Sequence, residues 1–185
     1  MSATVGAVRI AHTHQLTTAE RDAIRGLLDL AFDGDFGDED WDHCLGGVHA
    51  LLYDADDVPV AHGSVIMRRV VHRGRSYRVG YVEAVAVRAQ ERRRGFGDRI
   101  METLEGVIDR AYDFGALSAS DAGAALYRSR GWTLWQGRIE TAGPDGLVPL
   151  PEEEDSTFVR IGGTSGGLVV PPDALLFDWR DGDVI

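Results

Sequence analysis

Residues 80–97 read Gly80-Tyr-Val-Glu-Ala-Val-Ala-Val-Arg-Ala-Gln-Glu-Arg-Arg-Arg-Gly-Phe-Gly97, and this stretch decides the fold. Its first half is rich in valine and predicts a β-strand, whereas residues 95–112 carry apolar side chains at helical spacing. Arginine and glycine dominate the loop between them. Free backbone N–H groups, the helix dipole and arginine side chains converge at such a loop, so the segment predicts an anion site. The alternative is a basic loop that opens an exposed helix.

Two other phosphate-binding loops are excluded by the residues present. A P-loop needs lysine before serine or threonine, and the chain contains no lysine. The Gly-x-Gly-x-x-Gly pattern of dinucleotide-binding folds is also missing from this segment. Many backbone donors suit a diphosphate, whose negative charge is spread over several oxygens.

Upstream of residue 80, the pattern predicts two helices and an antiparallel meander. Residues 7–11 predict a first strand, and Thr17 with Glu20 has the spacing of a capping box before a helix. Asp38 is predicted to cap a second, short helix that runs to residue 45. Three further strands are predicted, joined by short polar turns as hairpins require, over residues 48–53, 58–73 and 77–88.

Downstream of residue 97, helices and strands alternate. The pattern predicts a long helix over residues 95–112, a strand over 114–118 and a helix over 121–130 that Gly131 ends. Two further strands are predicted, over 132–141 and 157–161, with a loop over 143–155 between them. Residues 162–172 predict a flexible connection. The predicted fold class is therefore α/β, in one domain over residues 1–185.

Charge is strongly sorted along the chain. The formal net charge is -11, which argues against nucleic acid and anionic membrane surfaces as partners. All 19 basic residues are arginine, and ten of them fall between Arg68 and Arg99, whereas the flanking segments are acidic. This sorting predicts an anionic ligand held by the middle of the chain and a cationic ligand held by the flanks. A solvated acidic surface is the alternative.

The compartment is predicted from cysteine usage and from the lack of apolar segments. Cys44 is the only cysteine and suits a reducing cytosol. No segment approaches the roughly 20 apolar residues of a membrane span, and no signal peptide is evident. We therefore expect a cytoplasmic protein.

The segment Arg92-Arg-Arg-Gly95-Phe-Gly97 after a strand resembles the Gln/Arg-x-x-Gly-x-Gly/Ala signature of the GNAT (GCN5-related N-acetyltransferase) superfamily. The element order over residues 7–141 resembles that fold as well. The resemblance implies a mixed, mostly antiparallel central sheet flanked by helices. It also implies that Val85, Ala86 and Val87 pair with the pantetheine arm of acetyl-coenzyme A, and that its pyrophosphate is bound by Arg92, Arg93, Arg94, Gly95, Phe96 and Gly97.

A closer resemblance, to the aminoglycoside 2'-N-acetyltransferases of actinobacteria, spans nearly the whole chain. It implies acetyl transfer to the 2'-amine of an aminoglycoside in a ternary complex, drug resistance, a homodimer, and a C-terminal strand and acidic substrate-binding tail over about residues 142–185. The blocks that carry it are Gly34-Asp-Phe, Asp40-Trp, Leu45-Gly-Gly-Val-His-Ala-Leu, Gly80-Tyr-Val-Glu-Ala-Val-Ala-Val, Tyr127-x-Ser-Arg-Gly-Trp and Asp178-Trp-Arg-x-Gly-Asp-Val.

Two side chains are predicted to be catalytic. Amine acetylation needs a neutral amine, and Glu83 is a carboxylate that could remove the amine proton. Strand alternation places Glu83 on one face with Tyr81, Val85 and Val87; a structural ion pair is the alternative role. The superfamily resemblance implies that Tyr127 protonates the leaving thiolate, and a buried core tyrosine is the alternative. The N–H of Val85 is expected to stabilise the thioester oxygen.

The substrate-binding residues are carried over from the resemblance. Carboxylates and hydroxyl acceptors suit a polycationic sugar, and the C-terminal carboxylate of Ile185 is a further candidate. Ala84 stands where glycine is common and is expected to narrow the acceptor site. The residues are Asp35, Asp40, Glu83, Ala84, Ser118, Glu153, Glu154 and Asp183.

No metal site is predicted. His12 and His14 have strand-like spacing, but no carboxylate or cysteine completes a ligand set in the sequence. His43, His49, His62 and His72 are predicted to be structural. Two other functions stay open: a GNAT enzyme for another small amine, such as a polyamine or a cell-wall amino sugar, and a non-catalytic acyl-coenzyme A sensor.

Overall fold

The computed structural model describes residues 6–162 and 173–185, so the predicted flexible connection lies outside the described residues except for Gly162. The described residues form ten β-strands and four α-helices. In chain order they are β1 (Arg9–His12), α1 (Thr18–Ala31), α2 (Asp38–His43), β2 (Val48–Tyr53), β3 (Pro59–His72), β4 (Arg75–Val87), α3 (Phe96–Ala111), β5 (Phe114–Ser118), α4 (Asp121–Ser129), β6 (Thr133–Leu134), β7 (Ile139–Gly143), β8 (Gly146–Pro149), β9 (Thr157–Arg160) and β10 (Leu175–Asp178).

The chain forms two compact units. The first comprises Met1–Ile66 and Val82–Gly106, and the second comprises Met67–Tyr81 and Val107–Ile185. Strands β3 and β4 and helix α3 therefore contribute residues to both. A single domain over residues 1–185 remains a prediction. No helix within the described parts of the chain has the length and apolar character of a membrane span.

The first unit contains the antiparallel meander that the sequence predicts. Strand β1 pairs with β2, with Ile10 opposite Ala50, and β2 pairs with β3, with Leu51 opposite His62. Helix α1 begins as predicted: Thr17 accepts from the N–H of Glu20, and Glu20 accepts from the N–H of Thr17 at 2.8 Å. The apolar face of α1 packs on the strands in a core of Ala11, Leu16, Ile24, Leu28, Phe36, Cys44, Leu51 and Ala86.

The start of α2 differs from the prediction. Gly37, not Asp38, is the N-cap residue, and the carboxylate of Asp40 accepts from the Gly37 N–H at 2.7 Å. The capping side chain thus comes from the third helical position. The helix ends at His43, two residues earlier than predicted, and Gly46 follows with a φ of 84°.

The second unit contains a mixed sheet in the order β6-β9-β5-β4-β3-β10-β7-β8. Strand β5 is parallel to β4, and β10 is parallel to β7. The pairs β5–β9, β6–β9, β7–β8 and β3–β10 are antiparallel. A mixed, mostly antiparallel sheet with helices is confirmed.

Two predictions for the C-terminal third are wrong, and one strand was not predicted. The strand predicted over residues 132–141 is two strands, β6 and β7, separated by residues 135–138, where Trp135 is buried and its N–H donates to the carbonyl of Thr157 at 2.9 Å. The loop predicted over 143–155 contains β8, since Gly143 pairs with Gly146 across a two-residue turn. Strand β10 was not predicted, because its apolar run is only three residues long.

Candidate active site

Strand β4 contains a bulge at the predicted base. In a regular strand, consecutive carbonyl groups point to opposite edges. Here the carbonyls of Glu83 and Ala84 both accept from side chains of β3: Ser64 Oγ lies 3.4 Å from the oxygen of Glu83, and His62 Nδ1 lies 2.9 Å from that of Ala84. Ala84 has a φ of 48°, which costs about 1–2 kcal/mol for a residue with a Cβ.

The bulge overturns the predicted common face of Tyr81, Glu83, Val85 and Val87. A Cβ on Gly80 would lie 2.8 Å from Ile108 of α3, and Val85 lies with Ile100 of α3 around Gly63. Positions 80 and 85 therefore face the same helix although they are five residues apart. Tyr81 and Val85 point to opposite faces. Glu83, at the bulge, is half-buried.

After the bulge, at residues 85–87, β4 has one edge that faces away from β3. The N–H of Arg88 donates to the carbonyl of Val60 at 2.8 Å, so alternation turns the polar backbone groups of Val85 and Val87 to the opposite edge. In the second unit, residues 79–81 of β4 pair in parallel with β5. Such an edge suits an extended ligand that adds as a strand.

The loop before α3 has the geometry of an anion site. Arg93 and Gly95 have φ values of 61° and 76°, and α3 begins at the buried Phe96. The first N–H groups of a helix have no acceptor within it, and alternating left-handed residues turn further N–H groups to one side. A Cβ on Gly95 would meet no atom within 4 Å, so a ligand can approach the backbone there.

The three arginines of this loop have different surroundings. Arg94 forms an ion pair with Glu91, and its guanidinium carbon lies 5.0 Å from the centre of the Phe96 ring. Arg92 reaches the carbonyl oxygens of Val87 and Ala31, both at 3.4 Å. Arg93 is exposed. Three arginines and one glutamate leave a formal charge of +2, which fits a diphosphate.

The sorted charges of the sequence serve partly as internal ion pairs. In the first unit Arg88 contacts Asp54 at 3.0 Å. In the second unit Arg68 contacts Asp178 at 2.8 Å, and Arg78 contacts Asp113 at 3.5 Å. These three arginines of the central stretch therefore form ion pairs within the protein, and the predicted anion site at residues 92–97 does not depend on them.

Asp35 and Asp40, the predicted substrate carboxylates of the first unit, lie in different settings. Asp35 is exposed in the turn after α1, and its N–H donates to the carbonyl of Phe32 at 3.0 Å. Asp40 caps α2 through one oxygen, Oδ2. A carboxylate oxygen has more than one acceptor site, so the capping role leaves Asp40 able to accept from a ligand.

In the second unit, Ser118 and Glu153 are brought together. Ser118 Oγ donates to Glu153 Oε2 at 2.8 Å, and Ser156 Oγ donates to the same oxygen at 2.6 Å. Glu154 points elsewhere: with Asp155 it lines a groove of about 350 Å³ that Trp135, Gln136 and Arg138 also border. Of the two neighbouring glutamates, Glu153 alone contacts Ser118.

Tyr127 lies on α4 and is buried. Its ring centre lies 6.3 Å from that of Trp132 and 6.4 Å from that of Phe158. The ring therefore contributes to aromatic packing in the second unit. Its role as a general acid stays a prediction.

The C-terminal segment that carries Asp183 is anchored by Arg68, which is 3% exposed and which sequence reasoning did not single out. Arg68 donates to the carbonyl of Val184 at 2.6 Å, and Arg180 donates to the carbonyls of Asp183 and Val184 at 3.2 and 3.0 Å. Burial lowers the pKa of Arg68. Val184 and Ile185 pack in the apolar core. An arginine inside an otherwise apolar strand run was the available signal.

The histidines predicted to be structural are buried, and two of them touch. His49 Nδ1 lies 3.0 Å from His62 Nε2, and both side chains are fully buried. Burial lowers the pKa of His49 to about 4 and that of His62 to about 3. His12 and His14 lie with ring nitrogens 3.0 Å apart. Within residues 6–162 and 173–185, no three candidate ligands cluster around a metal position.

Comparisons with known proteins agree on one family. Residues 12–135 match the model of the "Acetyltransferase (GNAT) domain". The chain is 42% identical over 177 residues to an aminoglycoside 2'-N-acetyltransferase of Mycolicibacterium fortuitum, which covers 95% of this chain and 90% of the relative.

Solved structures share the fold at low sequence identity. The GNAT family N-acetyltransferase YhbS from Escherichia coli, in complex with CoA, matches with a TM-score of 0.69 and 16% identity, over 98% of this chain and 92% of that one. An acyl-CoA N-acyltransferase from Pseudomonas aeruginosa matches with a TM-score of 0.59 and 17% identity, over 85% of this chain and 99% of that one.

Proposed function

Because the chain belongs to the GNAT acetyltransferase family, we propose that it acetylates the 2'-amine of aminoglycosides with acetyl-coenzyme A as the donor. The observation that carries this proposal is the 42% identity with an aminoglycoside 2'-N-acetyltransferase over 90% of that relative's length. The 177 matched residues extend beyond residues 12–135, the part of the chain that matches the general GNAT domain.

The proposed donor site comprises the loop over residues 92–97 and the edge of β4. Acetyl-coenzyme A supplies an acetyl group activated as a thioester. The N–H groups at the start of α3 and the arginines of the loop would bind its diphosphate. Val85 and Val87 would bind the extended arm through backbone hydrogen bonds, because their polar groups face the edge that β3 does not use.

Glu83 is the proposed general base. An amine with a pKa of about 8–10 is mostly protonated at neutral pH and cannot attack a carbonyl. Glu83 would accept that proton directly or through one water molecule. The bulge at Ala84, the next residue, determines the direction of the peptide unit that joins it to Glu83.

Tyr127 and Val85 are proposed to stabilise the charges that develop during transfer. The hydroxyl of Tyr127 would donate a proton to the departing sulfur. The N–H of Val85 would donate a hydrogen bond to the carbonyl oxygen as negative charge develops there. Direct transfer of this kind needs both substrates bound at once.

The proposed acceptor site is acidic. Fixed carboxylates bind the ammonium groups of a polycationic sugar through charge-assisted hydrogen bonds. The contact between Ser118 and Glu153 supports the second unit's part in this site. The proposed residues are Asp35, Asp40, Glu83, Ala84, Ser118, Glu153, Glu154 and Asp183, with the C-terminal carboxylate of Ile185 as a further candidate.

We also propose that the enzyme is a cytoplasmic homodimer that confers aminoglycoside resistance. The single, buried Cys44 is consistent with a reducing compartment. The net charge of -11 disfavours nucleic acid and anionic membranes as partners. Sedimentation velocity tests the dimer, and drug susceptibility of a host that expresses the chain tests resistance.

The decisive experiment measures thiol release from acetyl-coenzyme A with two aminoglycosides that differ only in a 2'-amine or a 2'-hydroxyl. We expect release with the 2'-amine alone. Equal release with both would refute the position of transfer and leave the enzyme class intact. Faster release with a polyamine or a cell-wall amino sugar would favour another acceptor, and no release with any amine would favour an acyl-coenzyme A sensor.

A further inference from the structure

Two buried histidines connect strands β2 and β3 to the bulge in β4. His62 Nδ1 lies 2.9 Å from the carbonyl oxygen of Ala84, and His62 Nε2 lies 3.0 Å from His49 Nδ1. His49 Nε2 lies 2.8 Å from Thr13 Oγ1. Neither imidazole is exposed to solvent, and all of these atoms belong to the first unit.

The carbonyl of Ala84, at one end of this series of contacts, determines which nitrogen carries hydrogen in each of the two rings. A carbonyl oxygen only accepts, so His62 must carry its hydrogen on Nδ1. In a neutral ring Nε2 then accepts, which requires His49 to donate from its own Nδ1. His49 Nε2 is left as an acceptor, and the hydroxyl of Thr13 donates to it.

The hydrogen bonds of Thr13, at the other end of this hydrogen-bonded chain, agree with this direction of donation. Thr13 Oγ1 accepts from the N–H of Gly46 at 2.9 Å, so its single hydrogen is available to His49. The carbonyl of Gly47, an alternative acceptor for the hydroxyl at 3.3 Å, already accepts from the Thr13 N–H at 3.0 Å. Four groups therefore donate in one direction, from Gly46 through Thr13, His49 and His62, and the carbonyl of Ala84 is the last acceptor.

Both rings must be neutral for this chain to exist. A protonated imidazole has two donors and no acceptor, so a protonated His62 could not accept from His49, and a protonated His49 could not accept from Thr13. The lowered pKa values of His49 and His62, caused by burial, keep both rings neutral at physiological pH.

We infer that His62, oriented by His49, is a positioning residue for acetyl transfer: it holds the Ala84 carbonyl and thereby the bulge that directs Glu83 and the N–H of Val85. The inference rests on the proposed roles of Glu83 and Val85. The Ala84 peptide joins these two residues, so a rotation of its carbonyl moves the proposed base and the proposed oxyanion donor together. The side-chain contact from β3 to the bulge would then be that of Ser64, which is longer, at 3.4 Å.

The test compares three variants. His62→Leu removes the donor to Ala84, and His62→Asn restores an N–H at about the position of Nδ1. His72→Leu is the matched control, because His72 is also buried and its Nδ1 lies 3.0 Å from a backbone carbonyl, that of Ala174 in the second unit. For each variant, kcat and KM are measured with the 2'-amine aminoglycoside, and thermal unfolding is followed by circular dichroism.

We expect His62→Leu to lower kcat about tenfold or more with little change in KM, since displacement of a reacting group by about 1 Å costs about a hundredfold in rate. His62→Asn should recover most of kcat. His72→Leu should lower the unfolding temperature by a similar amount and leave kcat unchanged. Equal kcat for His62→Leu and wild type, per folded molecule, would overturn the inference.

A spectroscopic measurement on the wild-type protein keeps the inference testable if His62→Leu does not fold. Two-bond ¹⁵N–¹H correlation spectra show which nitrogen of each imidazole carries hydrogen. We expect Nδ1–H in both rings, and an Nε2–H form of His62 would refute the chain. Absence of turnover by the wild type with every amine would instead refute the proposed function. In that case the chemical shift of the Val85 amide still tests positioning, because His62→Asn should keep the wild-type shift. A changed Val85 shift in His62→Asn would contradict the positioning role of His62.

Discussion

Ser118 donates a hydrogen bond of 2.8 Å to Oε2 of Glu153, which also accepts from Ser156. Two hydroxyl groups therefore fix this carboxylate in one orientation without neutralising its charge. A fixed, half-buried anion binds an ammonium group with little loss of side-chain entropy on binding.

Replacement of Glu153 is expected to weaken acceptor binding selectively. Glu153→Gln keeps the shape and the hydroxyl contacts but removes the charge. We expect KM for the aminoglycoside to rise about tenfold to a hundredfold, the value of one charge-assisted hydrogen bond, with kcat nearly unchanged. Glu152→Gln is the matched control on an exposed neighbour. A larger rise in KM from Glu154→Gln than from Glu153→Gln would mean that Glu154, in the adjacent groove, binds the ammonium group instead.

Arg68 is expected to be essential for the C-terminal segment. Its side chain is 4% exposed, and Arg68→Met would leave the carbonyls of Asp178 and Val184 without this donor. We expect the free energy of unfolding in urea to fall by about 2–4 kcal/mol, the penalty for buried unpaired polar groups. Arg73→Met removes an ion pair whose partners are half-exposed, and should cost about 1 kcal/mol or less. Equal losses would contradict the anchoring role.

Local patterns predicted most of the fold. The capping box of Thr17 and Glu20 and the boundaries of β2 and β5 follow from neighbouring residues and are confirmed. The family was also predicted, because residues 92–97 combine a motif with a strand before it and a helix after it. Such features need only local information.

The features of the fold that the sequence did not predict depend on residues that are far apart in the sequence. Strand β10 is short and exists because it pairs with β7 and β3. The bulge at Ala84 exists because Ser64 and His62 reach two consecutive carbonyls, and alanine gives no sequence signal for a positive φ. The default alternation therefore placed Tyr81 and Val85 on one face.

Stability is expected to depend on pH through the buried histidines. Both folded-state pKa values, about 4 for His49 and about 3 for His62, lie below the usual value of 6.5. The unfolded chain therefore binds more protons as pH falls below 6.5, and stability decreases in that direction. Each histidine contributes a slope of up to about 1.4 kcal/mol per pH unit between about pH 6 and 4.

Urea unfolding at pH 7, 6 and 5 measures this slope. The pKa values of Glu20, Asp54 and Asp113 are lowered by hydrogen bonds, so these carboxylates lose their contribution only at more acidic pH. His62→Asn should flatten the decrease between pH 6.5 and 5. An unchanged slope in that variant would mean that another group takes up the proton.

Glu83→Gln is expected to change the pH profile of catalysis. General bases contribute about a hundredfold to ten-thousandfold in rate, so kcat/KM should fall within that range at pH 6.5. The deficit should shrink as pH rises, because a larger fraction of the amine is already neutral. Glu140→Gln, a half-buried glutamate of β7, is the control. A deficit that is constant from pH 6 to 9 would remove Glu83 from the base role.

Gly95→Ala is expected to weaken coenzyme binding beyond its effect on stability. Gly95 and Gly131 have φ values of 76° and 82°, and a Cβ on either would meet no protein atom within 4 Å. Alanine at either position should therefore cost about 1–2 kcal/mol of backbone strain.

Only at Gly95, in the loop before α3, would the added methyl group occupy the space through which a diphosphate approaches the backbone N–H groups. We expect calorimetry to show at least about tenfold weaker binding of coenzyme A by Gly95→Ala and unchanged binding by Gly131→Ala, a difference of about 1.4 kcal/mol. Equal affinities in the two variants would show that residues 92–97 do not bind the diphosphate.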